Sequence, residues 1–451
     1  MDIVIVGLGK FGKEVTKTLA AENHNIMVID TSSVIVDDVV NEYDIQGYVG
    51  NGASYETLKE ISIEKYDLLI ATTQLDELNI LISLIAKKMG VKQTICRVRN
   101  PEYQVESRQI LGELGINHIL NPDLDTAREI YRILRFPSAI KVQPFGEGRV
   151  DLIEFKVDAK SILNGLSLYD LGYKYGVKIL VCAVQRNKQV IIPKGDFVLQ
   201  ENDLLYITAA NDELERSFKK LKLFKNITSS VMIVGASKIS YYLSELLIKS
   251  GFSVKVIESD KQTAKDFATK NPSAMVFNAD GTNQNLLLSE GLKEGAFVSL
   301  TGSDETNIIL SSFANVVQCK KVITKFSNTN YESMVANIGL DSNVTPKHIF
   351  ASNILRYVRG LENKNNASKC KTLYRLVDNR VEALEFLVSE KTNYTSIPLK
   401  NIKIKPNYLL AAIVRGGNVI IPSGNDTIEE QDSVVIVTNQ TNTKDISDIL
   451  E

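Results

Sequence analysis

Three glycines and one acid near the start of the chain have the spacing of a phosphate-binding turn. In residues 2–30, "DIVIVGLGKFGKEVTKTLAAENHNIMVID", Gly7, Gly9 and Gly12 follow a short apolar run, and Asp30 ends the next one. Such glycines allow a tight strand-to-helix turn, close backbone approach to a pyrophosphate, and close packing of the helix on the sheet. The start of the helix then offers N–H groups to phosphates, while the Asp30 carboxylate can accept hydrogen bonds from ribose hydroxyls. The pattern predicts binding of NAD(H) or of ATP or ADP, and the charge of Asp30 disfavours NADP.

Residues after the later strands extend this candidate site. Lys10 and Phe11 lie inside the glycine loop, and Lys10 is either a phosphate contact or a solvated lysine at a helix start. Thr72 and Thr73 follow the fourth predicted strand and are expected to face the same crevice. The stretch "GNGAS" either shapes the adenine or ribose edge of the crevice or is a plain turn. Its candidate contacts are Gly50, Asn51, Gly52 and Ala53.

Charged residues close to these strand ends have two interpretations each. Asp76 is expected to cap the helix that begins there, in preference to contacting a ligand. Arg97 and Arg99 end the fifth predicted strand, where they either neutralise phosphates or form surface ion pairs. We keep Arg99 among the candidate binding residues.

The chain repeats itself at a spacing of about 228 residues. Gly7 aligns with Gly235 and Asp30 with Glu258, and "TTQLDELNILIS" at 72–83 aligns with "LTGSDETNIILS" at 300–311. A second kind of module also repeats, because residues 182–208 align with residues 411–438. The modules therefore follow one another in the order A–B–A–B.

The second copy of the glycine loop is incomplete. Gly235 and Glu258 are retained as candidate contacts, but Ser237 and Ser240 replace the other two glycines. We expect Ser237 to crowd a pyrophosphate and Ser240 to push the helix away from the sheet. The sequence favours a structural copy whose ligand binding is weaker than that of the first.

Alternating apolar runs and amphipathic segments predict an α/β fold with two Rossmann-like doubly wound parallel sheets, each followed by a small α+β domain. Residues 138–149 are expected to form a linker and residues 361–371 a polar joint. The expected domains are residues 1–136 and 227–360 for the two nucleotide-binding modules, and residues 137–226, with a connector, and 361–451 for the two small ones.

Composition narrows the function classes. A net charge of −2 gives no field that favours nucleic acid, and four cysteines without a CxxC pair indicate free thiols in a reducing compartment. We expect no signal peptide and find no apolar run near the roughly 18 residues that span a bilayer. None of the three histidines lies near a polar cluster in the sequence, and the sequence contains neither HExxH nor GxSxG. Both observations weaken the interpretation of the chain as an enzyme. A NAD-dependent oxidoreductase and a nucleotide-binding scaffold remain as alternative functions for a nucleotide-binding chain.

The motifs together resemble the TrkA family of Trk potassium-uptake regulatory subunits, built from tandem RCK (or KTN) domains. The resemblance covers essentially the whole chain. It is carried by "GLGKFG" with Asp30, "RVRNPEY" at 97–103, "SDETN" at 303–307 and the two "VIIP" strands. It implies NAD(H) or adenine nucleotides bound by the first glycine loop and its acid. It further implies no enzymatic activity and a homo-oligomeric ring, dimeric or tetrameric, on the cytoplasmic face of the membrane. There the ring would gate a potassium translocation subunit like TrkH or TrkG.

Overall fold

The computed structural model describes residues 1–103, 112–136, 138–146, 149–187, 189–223, 229–362, 368–376, 380–390, 392–440, 443 and 445–451. In these ranges the chain forms four sheets, two parallel and two antiparallel. We call the parallel sheets with their helices the first and second lobes, and the antiparallel sheets the first and second small domains. No helix in the described ranges has the length and apolarity required to cross a bilayer.

The first lobe has a six-stranded parallel sheet in the order β3-β2-β1-β4-β5-β6. Its strands are β1 (Asp2–Val6), β2 (Asn25–Asp30), β3 (Gln46–Val49), β4 (Leu68–Ala71), β5 (Gln93–Arg97) and β6 (His118–Leu120). Its helices are α1 (Lys10–Ala20), α2 (Ser33–Tyr43), α3 (Tyr55–Glu60) and α4 (Asp76–Lys88). Strand β1 is almost entirely apolar because helices cover both faces of the sheet. The winding reverses beside β1, which is where ligands bind in folds of this class.

Helix α5 (Pro122–Arg135) leads into the first small domain, an antiparallel sheet in the order β10-β9-β11-β8-β7. Its strands are β7 (Lys141–Phe145), β8 (Val150–Lys156), β9 (Leu180–Arg186), β10 (Gln189–Ile191) and β11 (Leu204–Ala210). Its helices are α6 (Leu168–Tyr175) and α7 (Asn211–Lys220). The expected linker at 138–149 therefore contains an edge strand, and that prediction was wrong.

The second lobe repeats the first, with strand order β14-β13-β12-β15-β16-β17. Its strands are β12 (Ser230–Val234), β13 (Ser253–Glu258), β14 (Met275–Asn278), β15 (Ala296–Ser299), β16 (Lys321–Lys325) and β17 (Asn343–Val344). Its helices are α8 (Lys238–Lys249), α9 (Lys261–Lys270), α10 (Gln284–Ser289), α11 (Asp304–Val316) and α12 (Glu332–Asn337). Two Rossmann-like sheets, each followed by a small antiparallel sheet, confirm the predicted fold class.

Helix α13 (Pro346–Glu362) leads into the second small domain, whose strand order β18-β19-β22-β20-β21 repeats that of the first. Its strands are β18 (Ser368–Leu376), β19 (Val381–Val388), β20 (Tyr408–Arg415), β21 (Asn418–Ile420) and β22 (Ser433–Thr438). The polar joint expected at 361–371 is thus partly the end of α13 and the start of β18, and its residues 363–367 lie outside the described ranges.

The four modules group into two compact units. Residues Met1–Ile130 and Ser230–Leu355 form one unit, which contains both lobes, and residues Tyr131–Ser229 and Arg356–Glu451 form the other, which contains both small domains. Within the second unit the two antiparallel sheets share one apolar core, in which Phe145 and Tyr206 lie with Val414 and Val435. The internal repeat therefore pairs like modules, lobe with lobe and small domain with small domain.

Candidate functional site

The first glycine loop is built so that two of its glycines cannot carry a side chain. Gly7 has a φ of +91°, and a Cβ there would lie 2.8 Å from the Thr73 backbone nitrogen. A Cβ on Gly12 would lie 1.9 Å from the Gly7 carbonyl oxygen. Both glycines are therefore needed for the turn itself and for the close approach of α1 to β1.

Gly9 has a different reason to be glycine. A Cβ on Gly9 would meet no atom within 4 Å, so nothing in the folded chain demands its absence. Gly9 is the N-cap of α1, and no side chain makes a capping hydrogen bond to this helix. The first turn of α1 consequently opens on free space with its N–H groups uncapped by a side chain, which is the arrangement that binds anions.

The Asp30 carboxylate closes one side of this space. Its Oδ2 accepts a hydrogen bond from the Leu8 backbone N–H at 2.7 Å, and its Oδ1 accepts one from the Ser32 N–H at 3.0 Å. Each carboxylate oxygen retains acceptor capacity after these bonds. Asp30 therefore both holds the glycine loop and remains able to accept hydrogen bonds from a diol.

The "GNGAS" turn lies beside Asp30. The Gly50 N–H donates to the Asp30 carbonyl oxygen at 2.9 Å, and Asn51 Oδ1 accepts from the Ala53 N–H at 3.0 Å. A Cβ on Gly52 would lie 2.2 Å from Val6 Cγ1, so this turn packs directly on the end of β1. The structure thus brings all four candidate residues of the turn to the edge of the crevice.

The two threonines after β4 support the loop. Thr72 is 3% exposed, and its hydroxyl donates to the Gly7 carbonyl oxygen at 2.7 Å. The Thr73 hydroxyl and backbone N–H both donate to Asn79 Oδ1 at 2.7 Å. Asn79 is fully buried and also donates to the Arg97 carbonyl oxygen at 3.0 Å, so it joins the ends of β4 and β5.

Asn79 is a site residue that the sequence interpretation missed. Its counterpart Asn307 makes the same bonds in the second lobe, to Thr301 and to the Lys325 carbonyl oxygen. The available signal was the recurrence of an asparagine at the same place in both copies of an otherwise apolar helix.

Two charged residues near β5, Asp76 and Arg97, differ from expectation, whereas Arg99 forms one of its two expected contacts, an ion pair in which its Nε lies 3.7 Å from Asp76 Oδ1. Asp76 does not cap its helix, since Leu75 is the N-cap, and Asp76 Oδ2 instead accepts from the backbone N–H groups of Arg99 and Asn100 at 2.9 and 2.8 Å. Arg99 Nη2 donates to the Gln74 carbonyl oxygen at 2.8 Å. Arg97 is only 4% exposed, so the alternative of a surface ion pair was wrong for this residue.

Arg97 and Phe11 pack on each other at the base of the loop. The Arg97 guanidinium lies 4.9 Å from the Phe11 ring centroid and donates to the Thr73 carbonyl oxygen. Burial lowers the pKa of Arg97 to about 10, which leaves it charged at neutral pH. Lys10, in contrast, is exposed and lies near the second lobe. Backbone and side-chain hydrogen bonds to Glu305 lower the pKa of its carboxyl, and the charge of Lys10 lowers it further.

Helix α1 also contacts the start of α13. The Phe11 and Phe350 rings meet edge to face at 5.4 Å between centroids. Glu14 on α1 accepts from Lys347 Nζ at 3.0 Å and lies 3.3 Å from His348 Nε2. The helix that begins at the glycine loop is therefore attached to the helix that leads into the second small domain.

The second lobe keeps the turn and the acid but closes the start of its helix. Gly235 has a φ of +100°, and Glu258 Oε2 accepts from the Ala236 N–H at 2.8 Å, as Asp30 does from Leu8. Ser237 is the N-cap of α8, and its hydroxyl oxygen accepts from the Ser240 N–H at 3.2 Å. Ser240 Oγ donates to the Gly235 carbonyl oxygen at 2.5 Å.

Comparison with known proteins gives consistent matches over the whole chain. The TrkA-N domain model matches residues 3–122 and 231–346, and the TrkA-C domain model matches residues 152–222 and 383–451. The chain is 31% identical over 445 residues to the Trk system potassium uptake protein TrkA homolog 1 of Methanosarcina mazei, with 97% of each chain covered. It is 30% identical over 439 residues to the TrkA homolog of Archaeoglobus fulgidus, again with 97% of each covered.

A solved structure shares the fold. The GsuK channel bound to NAD superposes with a TM-score of 0.62 at 15% identity, over 97% of this chain and 76% of that one. The TrkA-N and TrkA-C models each match the chain twice, and the identity of about 30% to both relatives extends over 97% of its length. The chain therefore belongs to the Trk system potassium uptake protein TrkA family.

Proposed function

We propose that this chain is the nucleotide-sensing regulatory subunit of a potassium uptake system, with NAD(H) or ATP/ADP bound by the first lobe. The observation that carries the proposal is the open N-cap at Gly9. An α1 N-terminus that no side chain caps faces free space, with the Asp30 carboxylate beside it. A phosphate fits the helix start, and a ribose diol fits the acid.

Gly7, Gly9, Gly12 and Asp30 form the centre of the proposed site, and Lys10 and Arg99 supply positive charge. Phe11, Thr72 and Thr73 hold the loop in place, as their contacts with Arg97, Gly7 and Asn79 indicate. The turn after β3 borders the ribose side. Its members are Gly50, Asn51, Gly52 and Ala53. Gly235 and Glu258 hold the corresponding place in the second lobe.

Regulation requires that the ligand favour one conformation over another, because a ligand shifts an equilibrium only by its differential affinity for two states. The contacts of Phe11 and Glu14 with α13 give the loop a direct connection to the chain that continues into the second small domain. A coupling of about 1–3 kcal/mol would change partner affinity or activity roughly 5- to 150-fold. We propose that ligand binding, through this coupling, rearranges a homo-oligomeric ring that is dimeric or tetrameric.

The proposed partner is a membrane potassium translocation subunit like TrkH or TrkG, to which the chain binds from the cytoplasmic side. The support is the family, whose curated members are Trk potassium uptake proteins, together with the fold shared with the GsuK channel bound to NAD. We propose a regulator in preference to a NAD-dependent oxidoreductase or a scaffold without a channel. Nucleic acid is not among the proposed partners.

The test combines binding with transport. The purified chain is titrated with NAD, NADH, ATP and ADP by calorimetry, and potassium uptake is measured in cells that depend on the cognate transporter. We expect Gly9→Ala to reduce both nucleotide affinity and nucleotide-dependent regulation of uptake, and Asp37→Asn, an exposed change on α2, to leave both unchanged. Steady oxidation of NADH with a small carbonyl substrate, or uptake that does not change when the gene is deleted, would contradict the proposal.

A further inference from the structure

The second lobe contains a cleft of about 450 Å³ at the carboxyl ends of β12, β13 and β15. Its volume lies within the roughly 300–1,000 Å³ of small-molecule sites, and it sits where the winding of the sheet reverses. Glu258 lines the cleft at the end of β13, and the small residues Ala236, Gly281 and Gly302 also line it. The cleft therefore has a place for a diol, and its small lining residues leave room for a planar ring.

The helix start at one end of this cleft is capped by the chain itself. In the first lobe the space at Gly9 is empty, whereas in the second the Ser237 side chain occupies the corresponding position and bonds to the Ser240 N–H. The Ser240 hydroxyl is bonded to both Ser237 Oγ and the Gly235 carbonyl oxygen. One N–H group of the helix start is thus satisfied internally by the Ser237 hydroxyl.

The charge of the residues that line the cleft also disfavours a phosphate. Asp280 takes the place that Asn51 has in the first lobe, and its Oδ1 likewise accepts a hydrogen bond from the backbone N–H two residues on. Among the described residues that line the cleft, Glu258 and Asp280 are acidic and none is a lysine or arginine. Lys238 follows Ser237 but is exposed, and its charge acts on Glu77 and Asp123 of the first lobe.

We propose that the cleft of the second lobe binds a nucleoside that carries no phosphate, with Glu258 accepting hydrogen bonds from the ribose hydroxyls. The base lies over the small residues of the cleft, and the free 5′-hydroxyl points to the capped start of α8. A 5′-phosphate would bring negative charge toward Asp280 and Glu258 and would find no open helix N-terminus. The two lobes would then bind ligands of two different classes, a nucleotide in the first lobe and a nucleoside in the second.

This inference does not depend on nucleotide binding by the first lobe, and its test uses a variant that weakens binding there. The full chain carrying Asp30→Asn is titrated with adenosine, AMP and ADP by calorimetry. We expect one adenosine per chain, with AMP and ADP at least about tenfold weaker because the acidic lining repels phosphate. Adding Glu258→Gln, which keeps the size of the side chain, should weaken adenosine binding at least about tenfold.

A gain-of-function variant completes the test. Ser237→Gly with Ser240→Gly restores the glycine pattern of the first lobe and should make AMP bind at least as tightly as adenosine. Hydrogen exchange on the unmutated chain provides a check without substitutions, since adenosine should protect residues 235–240 and 258–260. Equal affinity for adenosine and AMP in the Asp30→Asn chain would overturn the proposal. So would adenosine binding that Glu258→Gln leaves unchanged, or no adenosine binding at millimolar concentration.

Discussion

The carboxylate of Asp30 accepts a hydrogen bond from the backbone N–H of Leu8 at 2.7 Å, across 22 residues of sequence. The acid at the end of the second strand is therefore a structural part of the glycine loop as well as a candidate ribose ligand. Glu258 and Ala236 repeat the relationship at 2.8 Å. The loop and the acid consequently have to be tested by variants that separate the charge from the loop geometry.

Asp30→Asn should weaken NADH binding about 10- to 100-fold while leaving the fold intact. The amide oxygen can still accept from Leu8 or Ser32, but the charge-assisted bonds to a diol, worth roughly 1.5–3 kcal/mol, are lost. Calorimetry measures the affinity, and circular dichroism checks the fold. Asp37→Asn serves as the matched control because Asp37 is an exposed aspartate on the next helix. An unchanged affinity for NADH would remove Asp30 from the site.

Gly9→Ala and Gly12→Ala should separate binding from stability. A methyl group on Gly9 meets no protein atom within 4 Å, so this variant should unfold at the temperature of the parent but bind nucleotide weakly. A methyl group on Gly12 would lie 1.9 Å from the Gly7 carbonyl oxygen, so this variant should lose stability, by about 1–3 kcal/mol, as well as binding. Thermal unfolding and calorimetry on both variants give the comparison. If Gly9→Ala binds like the parent, the space beside Gly9 is not where the phosphates lie.

Much of the fold followed from the sequence because its signals are strong where burial is complete. The apolar runs at the starts of both lobes, the helix ending at Gly90 and the repeat at about 228 residues all correspond to observed elements. Central parallel strands are covered on both faces, so their sequence is almost continuously apolar. The glycine loop was recognisable for a related reason, since its geometry at Gly7 and Gly12 tolerates no other residue.

Edge strands and polar supports were not predictable in the same way. Strand β7 pairs on one side only, and its sequence, "KVQPF", carries proline and polar residues that are typical of a linker. Asp76 stands at a helix start, where a cap is the common outcome, yet its partners lie 23 and 24 residues away. Such long-range bonds depend on the packing of β5 beside α4, which no local pattern contains.

The stability of the first unit should fall in acid partly through Glu14. Burial raises the pKa of this carboxyl, but hydrogen bonds and charge from His348 and Lys347 outweigh it and lower the pKa to about 2. A folded-state pKa below the unfolded value stabilises the protein above about pH 4.5, and this contribution disappears as the pH falls toward 2. Glu14→Gln should therefore lower the free energy of unfolding by up to about 3 kcal/mol at pH 7 and by almost nothing near pH 2.

The measurement is the unfolding temperature of the parent and of Glu14→Gln between pH 7 and pH 2.5. The two curves should converge as the pH falls. Glu56→Gln, an exposed change on α3, is the comparison that should run parallel to the parent. A gap between the parent and Glu14→Gln that stays constant over this range would show that the ion pairs with α13 contribute nothing to the acid response.

The two small domains should respond differently to loss of the same ion pair. Asp203 is fully buried and accepts from Arg186 Nε and Nη2, both at 2.7 Å, and Asp432 accepts from Arg415 in the same way at 2.8 and 2.7 Å. Asparagine at either position keeps the size but leaves the guanidinium without its carboxylate, which costs roughly 3–5 kcal/mol when both partners are buried. The side chains of Arg186 and Arg415 are 24% and 39% exposed, so water replaces part of the lost interaction. We expect Asp203→Asn to lower the free energy of unfolding by about 2 kcal/mol and Asp432→Asn to lower it by less.

The measurement is hydrogen exchange. It should rise in β9 and β11 for the first variant and in β20 and β22 for the second. Asp196→Asn, an exposed change in a turn, should alter neither. Equal losses, or exchange that rises equally in both small domains, would show that arginine exposure does not set the strength of the pair.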